Sequence, residues 1–273
     1  MKIRFWGVRG SISAPGPQTM RYGGNTPCVE FEGRGGETFV IDAGYGAVGL
    51  GQRLTQGAGA TEQHLLLTHL HWDHIQGLPF FAPIYIPGHR VIIYSVSAKT
   101  ARSAMDRLFT SVYSPIMGVE NLGAEVAYEE IAGPFQLGDM HIEPVLLDHG
   151  VPTLGFRIED GDSVVFHATD HEGGDRTCDE RLVQAARGAD LLIHDAQFTR
   201  PEYLRYRGWG HSHTEAALKN ALDAQVRRLA LFHYDPTHTD DDVDRQLQDA
   251  RAQVADQELE VLAAQEGLEL QVA

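Results

Sequence analysis

The sequence predicts a layered, mixed α/β fold, in which two β-sheets face each other and helices cover their outer surfaces. The first part of the chain is rich in short strand-like runs separated by glycine turns. Helical patterns appear between apolar strands later in the chain. No linker, internal repeat or low-complexity segment interrupts the 273 residues, so we expect a single domain over residues 1–273.

Hydrophobic periodicity and turn residues set the bounds of the predicted elements. A hairpin turn is predicted at the glycine-rich segment 33–36. The predicted strands are Lys2–Trp6, Cys28–Glu32, Glu37–Asp42, His64–Thr68, Val91–Ser95, Ala124–Glu129, His141–Leu147, Leu154–Glu159, Ser163–His167, Asp190–His194 and Arg228–Phe232. The predicted helices are Val48–Gln56, Ala98–Phe109, Asp179–Arg187, Thr214–Ala224 and Asp240–Ala255.

The composition is that of an ordinary globular protein, with 42% hydrophobic and 22% charged residues. No apolar run approaches the roughly 18 to 20 residues that a membrane span needs. No long apolar stretch typical of a secretory signal follows Met1. We therefore expect no membrane association and a cytoplasmic location. Cys28 and Cys178 are the only cysteines, so neither a disulfide framework nor a cysteine zinc site is predicted.

The chain is strongly acidic, with 38 acidic and 22 basic residues and a formal net charge of −16. A field of that sign repels polyanions, so nucleic acid is disfavoured as a partner. A small anionic substrate remains compatible with this charge, because a bound divalent metal is often the largest local charge in a site.

Several apolar strands end in histidine or aspartate. A buried strand fixes its last residue at the edge of the core, and ligands of α/β proteins bind beyond the carboxyl ends of strands. We therefore expect the polar strand ends to converge on one site. These strand ends carry His69, Asp148, His149, Asp170, His194, Asp195 and His233.

The stretch HLHWDH at 69–74 is the sharpest chemical signal. In extended chain, residues two apart point to the same side, so His69 and His71 can bind one ion. Asp73 and His74 follow as the chain turns toward a helix, and they face a neighbouring position. Imidazole and carboxylate ligands suit Zn²⁺, Mn²⁺ and Fe²⁺. The stretch therefore predicts a metal site.

Together with Gly77, this stretch resembles the HxHxDHxxG signature of the metallo-β-lactamase superfamily, and further segments of the family pattern follow along most of the chain. The resemblance implies a four-layer αββα sandwich of two mixed sheets with helices outside. It also implies two divalent ions, Zn²⁺ or Mn²⁺ with Fe²⁺ as a third candidate. The residues that match the ligand positions are His69, His71 and His149 for one ion, Asp73, His74 and His233 for the other, and Asp170 as the bridge. The oxygen-reducing di-iron branch has Glu at the position of His71, so a redox site is disfavoured.

The stretch GWGHSH at 208–213 resembles the Gly-His-Ser stretch of the phosphodiesterase branch. That branch includes tRNA 3′-processing endonucleases, the phosphonate-pathway cyclic phosphodiesterase and bacterial cyclic-nucleotide phosphodiesterases. The resemblance implies that His211 donates a proton to the leaving group, that Asp195 is its acidic partner, and that the chain forms a homodimer. His213 is either an additional substrate contact or a residue at a helix start.

Two more segments, WGVRGS at 6–11 and RYGGNT at 21–26, resemble a bacterial subgroup of the same branch. Asn25, in the second segment, is a candidate to support the site or contact the substrate. Asp42 is a candidate to orient the metal ligands, since a buried carboxylate must be hydrogen-bonded, although it is also a common turn former. Asp73 is a candidate for a catalytic as well as a ligating role.

The chemistry expected from these residues is hydrolysis of a phosphodiester. Two cations about 3.5–4 Å apart neutralise the anionic substrate and activate a bridging hydroxide for attack. A positioned histidine, here His211, protonates the leaving oxygen near neutral pH. The sequence thus predicts a small anionic phosphodiester as substrate, with a cyclic nucleotide as the first candidate.

Three other functions remain open from the sequence. The first is tRNA 3′ processing, although the chain has no Lys/Arg-rich insertion of the kind that those enzymes carry. The second is hydrolysis of a carboxylic ester, thioester or lactone, which the first metal motif does not exclude. The third is nucleotide sensing without catalysis, which the filled ligand positions disfavour.

Other conspicuous residues have structural interpretations. Most histidines that match no motif, including His238, are expected at the surface or at strand edges. His167 and His171 flank Asp170 and are expected to support the core or the ligands. The apolar segment 78–86 is either part of the core, a wall of a nucleobase pocket or a dimer surface.

Overall fold

The computed structural model describes residues 1–56, 61–114, 116–173 and 176–273. Within these ranges the chain forms two seven-stranded sheets. The strands are β1 (Lys2–Gly7), β2 (Cys28–Glu32), β3 (Thr38–Ile41), β4 (Glu62–Leu66), β5 (Arg90–Ser95), β6 (Glu125–Glu130), β7 (Phe135–Leu137), β8 (Met140–Leu147), β9 (Thr153–Asp160), β10 (Ser163–Ala168), β11 (Leu191–Asp195), β12 (Arg228–Phe232), β13 (Glu260–Ala263) and β14 (Glu269–Gln271).

Seven α-helices join these strands in the described ranges, and short 3₁₀ turns lie at 78–80, 82–85 and 119–121. The helices are α1 (Gly46–Leu54), α2 (Trp72–Ile75), α3 (Ala98–Leu108), α4 (Arg176–Ala186), α5 (Arg200–Tyr206), α6 (Thr214–Asp223) and α7 (Asp240–Gln253). All the predicted strands and helices are present, with ends shifted by a few residues. The short elements α5, β7, β13 and β14 were not predicted, whereas α2 lies where the chain was expected to turn toward a helix, at Asp73 and His74.

Both sheets are mixed, as predicted. The first has the order β14-β1-β2-β3-β4-β5-β6, with antiparallel pairs from β14 to β3 and parallel pairs from β3 to β6. The second has the order β13-β12-β11-β10-β9-β8-β7, with parallel pairs from β13 to β10 and antiparallel pairs beyond. The parallel halves place the carboxyl ends of several strands at the same edge of each sheet, which is where the polar strand ends lie.

The central core lies between the two sheets. Strand β1 alternates buried and half-buried residues, as expected of a strand with one face in a core. Phe5 on β1 meets Phe232 on β12 across the sheets, with ring centroids 6.0 Å apart. Helices α1 and α3 cover the outer face of the first sheet, and α4, α6 and α7 cover that of the second. The predicted four-layer arrangement with helices outside is therefore confirmed.

The apolar segment 78–86 contributes to the core on the outer side of the first sheet. Leu78, Phe81 and Ile84 are buried there with residues of α1, whereas Phe80 is exposed. Of its three sequence interpretations, core packing is thus the one that these contacts support.

No helix in the described ranges combines the length and the apolar character that crossing a membrane requires.

Replacing Phe5 with Ala should reduce the free energy of unfolding by about 3–5 kcal/mol, because it removes a wholly buried ring from the packing between the sheets. Urea denaturation followed by circular dichroism measures this change. Phe80→Ala is the matched control, since the Phe80 side chain is 63% exposed and should change stability by no more than about 0.5 kcal/mol. Equal effects of the two substitutions would contradict the assignment of the central core.

Candidate metal centre

The seven predicted ligands come together at one edge of the two sheets. Each follows a strand: four lie in the segment after β4, and one each follows β8, β10 and β12. His71 is exposed, and the other six are buried. The residues brought together in this way are His69, His71, Asp73, His74, His149, Asp170 and His233.

The candidate ligands form overlapping groups, and two of these groups match the sets implied by the resemblance; His69 and His74 also form a group with Asp170. In the first, His69, His71 and His149 each present one ligand atom, and these atoms lie within 4.8 Å of one another. In the second, Asp73, His74 and His233 do the same. The geometry therefore provides two neighbouring sets of ligands that match the two sets implied by the resemblance.

Asp170 lies between the two groups and directs one carboxylate oxygen to each. Its Oδ1 is 3.4 Å from Nε2 of His149 and 3.9 Å from Nε2 of His69. Its Oδ2 is 3.2 Å from Nε2 of His74 and 3.5 Å from Nε2 of His233. A carboxylate placed in this way can serve both groups at once.

The donor atoms of three histidines are suited to a cation. Nε2 of His69, His74 and His233 is buried in each case and has no hydrogen-bond partner among the described residues. The opposite nitrogen of each ring is held by a protein oxygen, at 2.8–3.0 Å. Since buried polar atoms are normally paired, nitrogens that converge without partners fit a site for divalent metal ions. Imidazole and carboxylate ligands accept Zn²⁺, Mn²⁺ or Fe²⁺.

The electrostatics keep the carboxylate of Asp170 charged. Burial alone would raise the pKa of Asp170, but the nearby imidazoles of His233 and His74 outweigh burial and place that pKa well below its usual value. Burial likewise lowers the pKa of His74, yet the carboxylates around it raise that pKa well above the ordinary value. In the absence of metal, His74 therefore carries a proton, which a cation must displace when it binds.

Asp42 orients two residues of the site. Its Oδ2 accepts a hydrogen bond from Nδ1 of His74 at 2.8 Å, and its Oδ1 accepts one from the backbone N–H of Thr68, also at 2.8 Å. Asp42, Asp170 and His233 all adopt left-handed backbone conformations, with φ of 62°, 57° and 63°. Such strain in residues other than glycine is typical of functional sites, where the surrounding structure maintains it.

His211 and Asp195 form a hydrogen-bonded pair beside the ligands. Nδ1 of His211 is 2.8 Å from Oδ2 of Asp195, which is within hydrogen-bonding distance. The other oxygen of Asp195 accepts from the backbone N–H groups of Gln197 and Ser212 at 3.1 and 3.0 Å. Burial lowers the pKa of His211, but Asp195 raises it more, and the resulting pKa is about 9. His211 thus carries a proton at neutral pH.

Two predicted supporting residues lie away from the cluster. The side-chain amide of Asn25 donates to Glu266 at 2.8 Å, and only its backbone carbonyl, which accepts from Val8 and Arg9, supports the loop next to the site. His213 is the residue before α6, and its Nδ1 is 2.8 Å from Oε2 of Glu215. Between the two sequence interpretations of His213, these contacts support a residue at a helix start.

The remaining histidines near the site have other partners. His194 and His171 are buried, and their ring nitrogens hydrogen-bond residues outside the seven ligands. His167 is buried against Phe232, and desolvation lowers its pKa to about 3, so it is neutral. His238 was expected at the surface but is buried, because its ring contacts Glu202 at 3.0 Å.

The segment Arg9–Ser11 supports the second group of ligands, a role that the sequence did not reveal. The backbone N–H of Ser11 donates to Oδ2 of Asp73 at 2.7 Å. Gly10 packs so closely that a Cβ there would lie 2.3 Å from Nδ1 of His233. Arg9 is buried and donates to the carbonyls of Asp235 and His238, in the loop after His233. The sequence signal for this segment was the resemblance of WGVRGS to a bacterial subgroup of the phosphodiesterase branch. That resemblance assigned no role to Arg9, Gly10 or Ser11.

Glu172 supports the other side of the site and was also missed. Its carboxylate accepts hydrogen bonds from the backbone N–H groups of Gly208 and Gly210 at 2.6 and 2.8 Å. The carbonyl of Gly210 in turn accepts from Nδ1 of His149 at 2.6 Å. Glu172 therefore holds the loop that orients the candidate ligand His149 and leads into His211.

With this geometry in place, comparison with known proteins identifies the family. The sequence model of one protein family, the β-lactamase superfamily domain, matches residues 37–234, which is most of the chain. The chain belongs to this superfamily. Its predicted resemblance to the metallo-β-lactamase superfamily and to the phosphodiesterase branch is confirmed.

Among its curated relatives is the ribonuclease Z of Haloferax volcanii, 26% identical over 96% of this chain and 95% of the relative. Two solved structures with the same fold are the metallo-β-lactamase fold protein YhfI from Bacillus subtilis and a diphosphatase of the PhnP family. YhfI is 20% identical, with a TM-score of 0.72 and 98% of both chains covered. The diphosphatase is 19% identical, with a TM-score of 0.67 over 99% of this chain and 97% of that one.

These relatives bear on the expected partners. The Haloferax protein is named as a ribonuclease, so the expectation that nucleic acid is disfavoured as a partner of this chain is not supported. The net charge of −16 describes the whole surface, whereas binding of an anion depends on the local charge at the site.

Asp42→Asn should weaken divalent-metal binding by about 10- to 100-fold, because the amide no longer fixes the orientation of the His74 ring. Isothermal titration with Mn²⁺ or Zn²⁺ measures the affinity. Asp162→Asn, at an exposed position outside the site, is the matched control and should bind metal like the wild type. Unchanged affinity in the Asp42 variant would contradict the orienting role.

Gly10→Ala should lower the divalent-metal content of the protein, because the new methyl group would lie 2.3 Å from Nδ1 of His233 and displace that ligand. Elemental analysis after metal loading and desalting measures the content, and circular dichroism verifies the fold. Gly16→Ala is the control, since nothing lies within 4 Å of a Cβ at that position. Full metal content in a folded Gly10→Ala variant would show that this close contact does not position His233.

Proposed function

We propose that this protein is a phosphodiesterase that depends on two divalent metal ions. The observation that carries the proposal is the His211–Asp195 pair, which lies directly beside the shared carboxylate of Asp170. Nδ1 of His211 is 3.7 Å from Oδ1 of Asp170 and 2.8 Å from Asp195. A hydrolase that only had to activate water would not need a protonated histidine such as His211 beside the candidate metal ligands.

The proposed ligand sets follow the distances in the cluster. His69, His71 and His149 would hold one ion, and Asp73, His74 and His233 would hold the other, with Asp170 shared between them. Zn²⁺ and Mn²⁺ are the first candidates, followed by Fe²⁺. When bound, two such ions neutralise the charge of a phosphodiester and supply an activated water at neutral pH.

The protein residues contribute orientation and the proton. Because Asp195 engages Nδ1 of His211, the other ring nitrogen is free to donate a proton to the leaving oxygen. Asp195 is itself fixed by two backbone N–H groups, so the ring has a defined direction. Asp73 is fixed by the N–H of Ser11 and is ionised, since the adjacent imidazoles, which outweigh burial, hold its pKa well below the usual value.

For the substrate, we propose a small phosphodiester, with a cyclic nucleotide as the first candidate. The chain lacks the Lys/Arg-rich insertion of the tRNA 3′-processing enzymes, which supports a small substrate over a precursor tRNA. The similarity in fold to a PhnP-family diphosphatase is compatible with this choice. Cleavage of precursor tRNA is the second candidate, favoured by the ribonuclease Z relative that aligns over 96% of this chain.

Assays with Mn²⁺ or Zn²⁺ test the proposal directly. The substrates are bis(p-nitrophenyl) phosphate, 3′,5′-cyclic AMP, a precursor tRNA at physiological salt and p-nitrophenyl acetate as a carboxylic ester. We expect metal-dependent hydrolysis of the diesters and little hydrolysis of the acetate. Turnover of the ester alone, or of no diester by protein with verified bound metal, would refute the proposal.

His211→Ala should lower kcat for a diester with an alkoxide leaving group by about 10²- to 10⁴-fold, because that leaving group needs a proton. The loss should be much smaller for bis(p-nitrophenyl) phosphate, whose leaving group departs as a stable anion. Steady-state kinetics with both substrates, at equal metal content, measure the difference. His213→Ala is the matched control and should retain wild-type kcat with both; equal losses with both substrates for His211→Ala would argue against a proton donor.

A further inference from the structure

Helix α5 and the turn after it form a basic and aromatic surface next to the proposed proton donor. Arg200, Arg205 and Arg207 fall within eight positions of a chain whose net charge is −16. All three are exposed, no ion pair with a carboxylate is found for them in the described part of the chain, and Arg205 lies over the ring of Tyr206 at 5.4 Å. This local positive charge contrasts with the acidic character of the molecule.

The turn presents Trp209 to solvent in a fixed position. Trp209 is 66% exposed and stands between two glycines with φ of 90° and 87°, a conformation that other residues rarely adopt. The carboxylate of Glu172 accepts hydrogen bonds from both flanking N–H groups, at 2.6 Å for Gly208 and 2.8 Å for Gly210. The side chain is therefore exposed although its backbone is held at both ends.

A row of rings connects Trp209 with the proposed proton donor. The Trp209 ring lies 4.9 Å from that of Tyr206, which lies 5.4 Å from that of Phe198. Phe198 in turn meets His211 edge to face at 6.1 Å. On the other side, the carbonyl of Gly210 is bound to the metal ligand His149. Trp209 thus lies at the outer end of a packed row that starts at the site.

A large aromatic ring that is exposed while its backbone is held in place can serve as a contact for a planar ligand. Nucleobases stack on such rings with about 1–3 kcal/mol per base, whatever the base. Guanidinium groups near the ring bind phosphate oxygens. Trp209 therefore fits a substrate that carries a nucleobase better than a base-free diester, and Arg205 and Arg207, in the same segment, are placed to bind further phosphates of a longer strand.

We propose that Trp209 stacks on a nucleobase of the substrate and makes the enzyme selective for base-bearing phosphodiesters. This inference rests on the proposed phosphodiesterase activity. The base belongs either to a cyclic nucleotide or to the end of an RNA strand. Arg205 and Arg207 separate these sources, because only a strand carries further phosphates for them to bind.

Trp72 provides the matched control. It is 55% exposed and directly follows the metal ligand His71, so its exposure and its place beside the site resemble those of Trp209. Its side chain, however, lines a groove with Leu70, Ile75 and residues of α3. Substitution of Trp72 should therefore leave base-bearing and base-free substrates unaffected.

The kinetic test compares Trp209→Ala, Trp209→Phe and Trp72→Ala on 3′,5′-cyclic AMP, a short single-stranded RNA and glycerol 1,2-cyclic phosphate, which has no base. Trp209→Ala should raise KM for the base-bearing substrates about 5- to 100-fold, in keeping with the stacking energy. KM for the base-free diester should not change, and Trp209→Phe should recover most of the loss. An equal loss on the base-free diester, or the same loss in Trp72→Ala, would overturn the inference.

Charge variants distinguish the two sources of the base. If the substrate is an RNA strand, Arg205→Gln and Arg207→Gln should each reduce the slope of log KM against log salt by about one unit, because each removes a cation that binds one phosphate. If it is a cyclic mononucleotide, KM for cyclic AMP should be unchanged in both variants. Either result supports a base at Trp209, provided that the loss in Trp209→Ala is confined to base-bearing substrates.

An equilibrium measurement keeps the inference separate from the proposed activity. AMP added to the metal-loaded protein should quench tryptophan fluorescence in the wild type and in Trp72→Ala but not in Trp209→Ala. Quenching that persists in Trp209→Ala would overturn the inference even if the enzyme hydrolyses diesters. Hydrolysis of the base-free diester by all three variants, with no base-specific loss, would likewise leave the phosphodiesterase standing and remove the role of Trp209.

Discussion

The burial of one carboxylate, Asp170, among imidazole rings is the constraint on which the site depends. An isolated charge in a protein interior costs several kcal/mol, so a buried carboxylate persists only where its surroundings compensate it. Here four histidine Nε2 atoms lie within 3.9 Å of its two oxygens. Three of these nitrogens form no hydrogen bond in the described ranges, two of them also lie within 3.4 Å of Asp73, and a pair of cations would satisfy both the carboxylates and the rings.

The fold produces this arrangement by placing strand ends at one edge. Residues after β4, β8, β10 and β12 supply all seven candidate ligands, and β11 ends in the partner of the proposed proton donor. The left-handed backbone at Asp42, Asp170 and His233 turns the chain sharply as each strand ends. Such conformations are unfavourable locally, so the packed sheets behind them must supply the stability that maintains them.

Much of this could be predicted from the sequence, because metal ligands are specific residue types at fixed spacings. All seven candidate ligands lie either in the HLHWDH stretch or among the histidines and aspartates that follow apolar strands, so the sequence pattern alone locates them. The residues that hold the candidate ligands in place were harder to predict. Ser11 acts through a backbone N–H that any residue other than proline provides, and Glu172 through amides 36 and 38 positions away. Helix α5 was missed because it buries no residue and so shows no apolar face. Asn25 pairs with Glu266, more than 200 positions later, which no local pattern reveals.

The central claim is that these side chains hold two cations with Asp170 between them. Anomalous diffraction from crystals of the Mn²⁺- or Zn²⁺-loaded protein tests it most directly. The account predicts two peaks, one beside His69, His71 and His149 and one beside Asp73, His74 and His233, with Asp170 in contact with both. A single peak, or peaks that leave Asp170 without a metal contact, would contradict it.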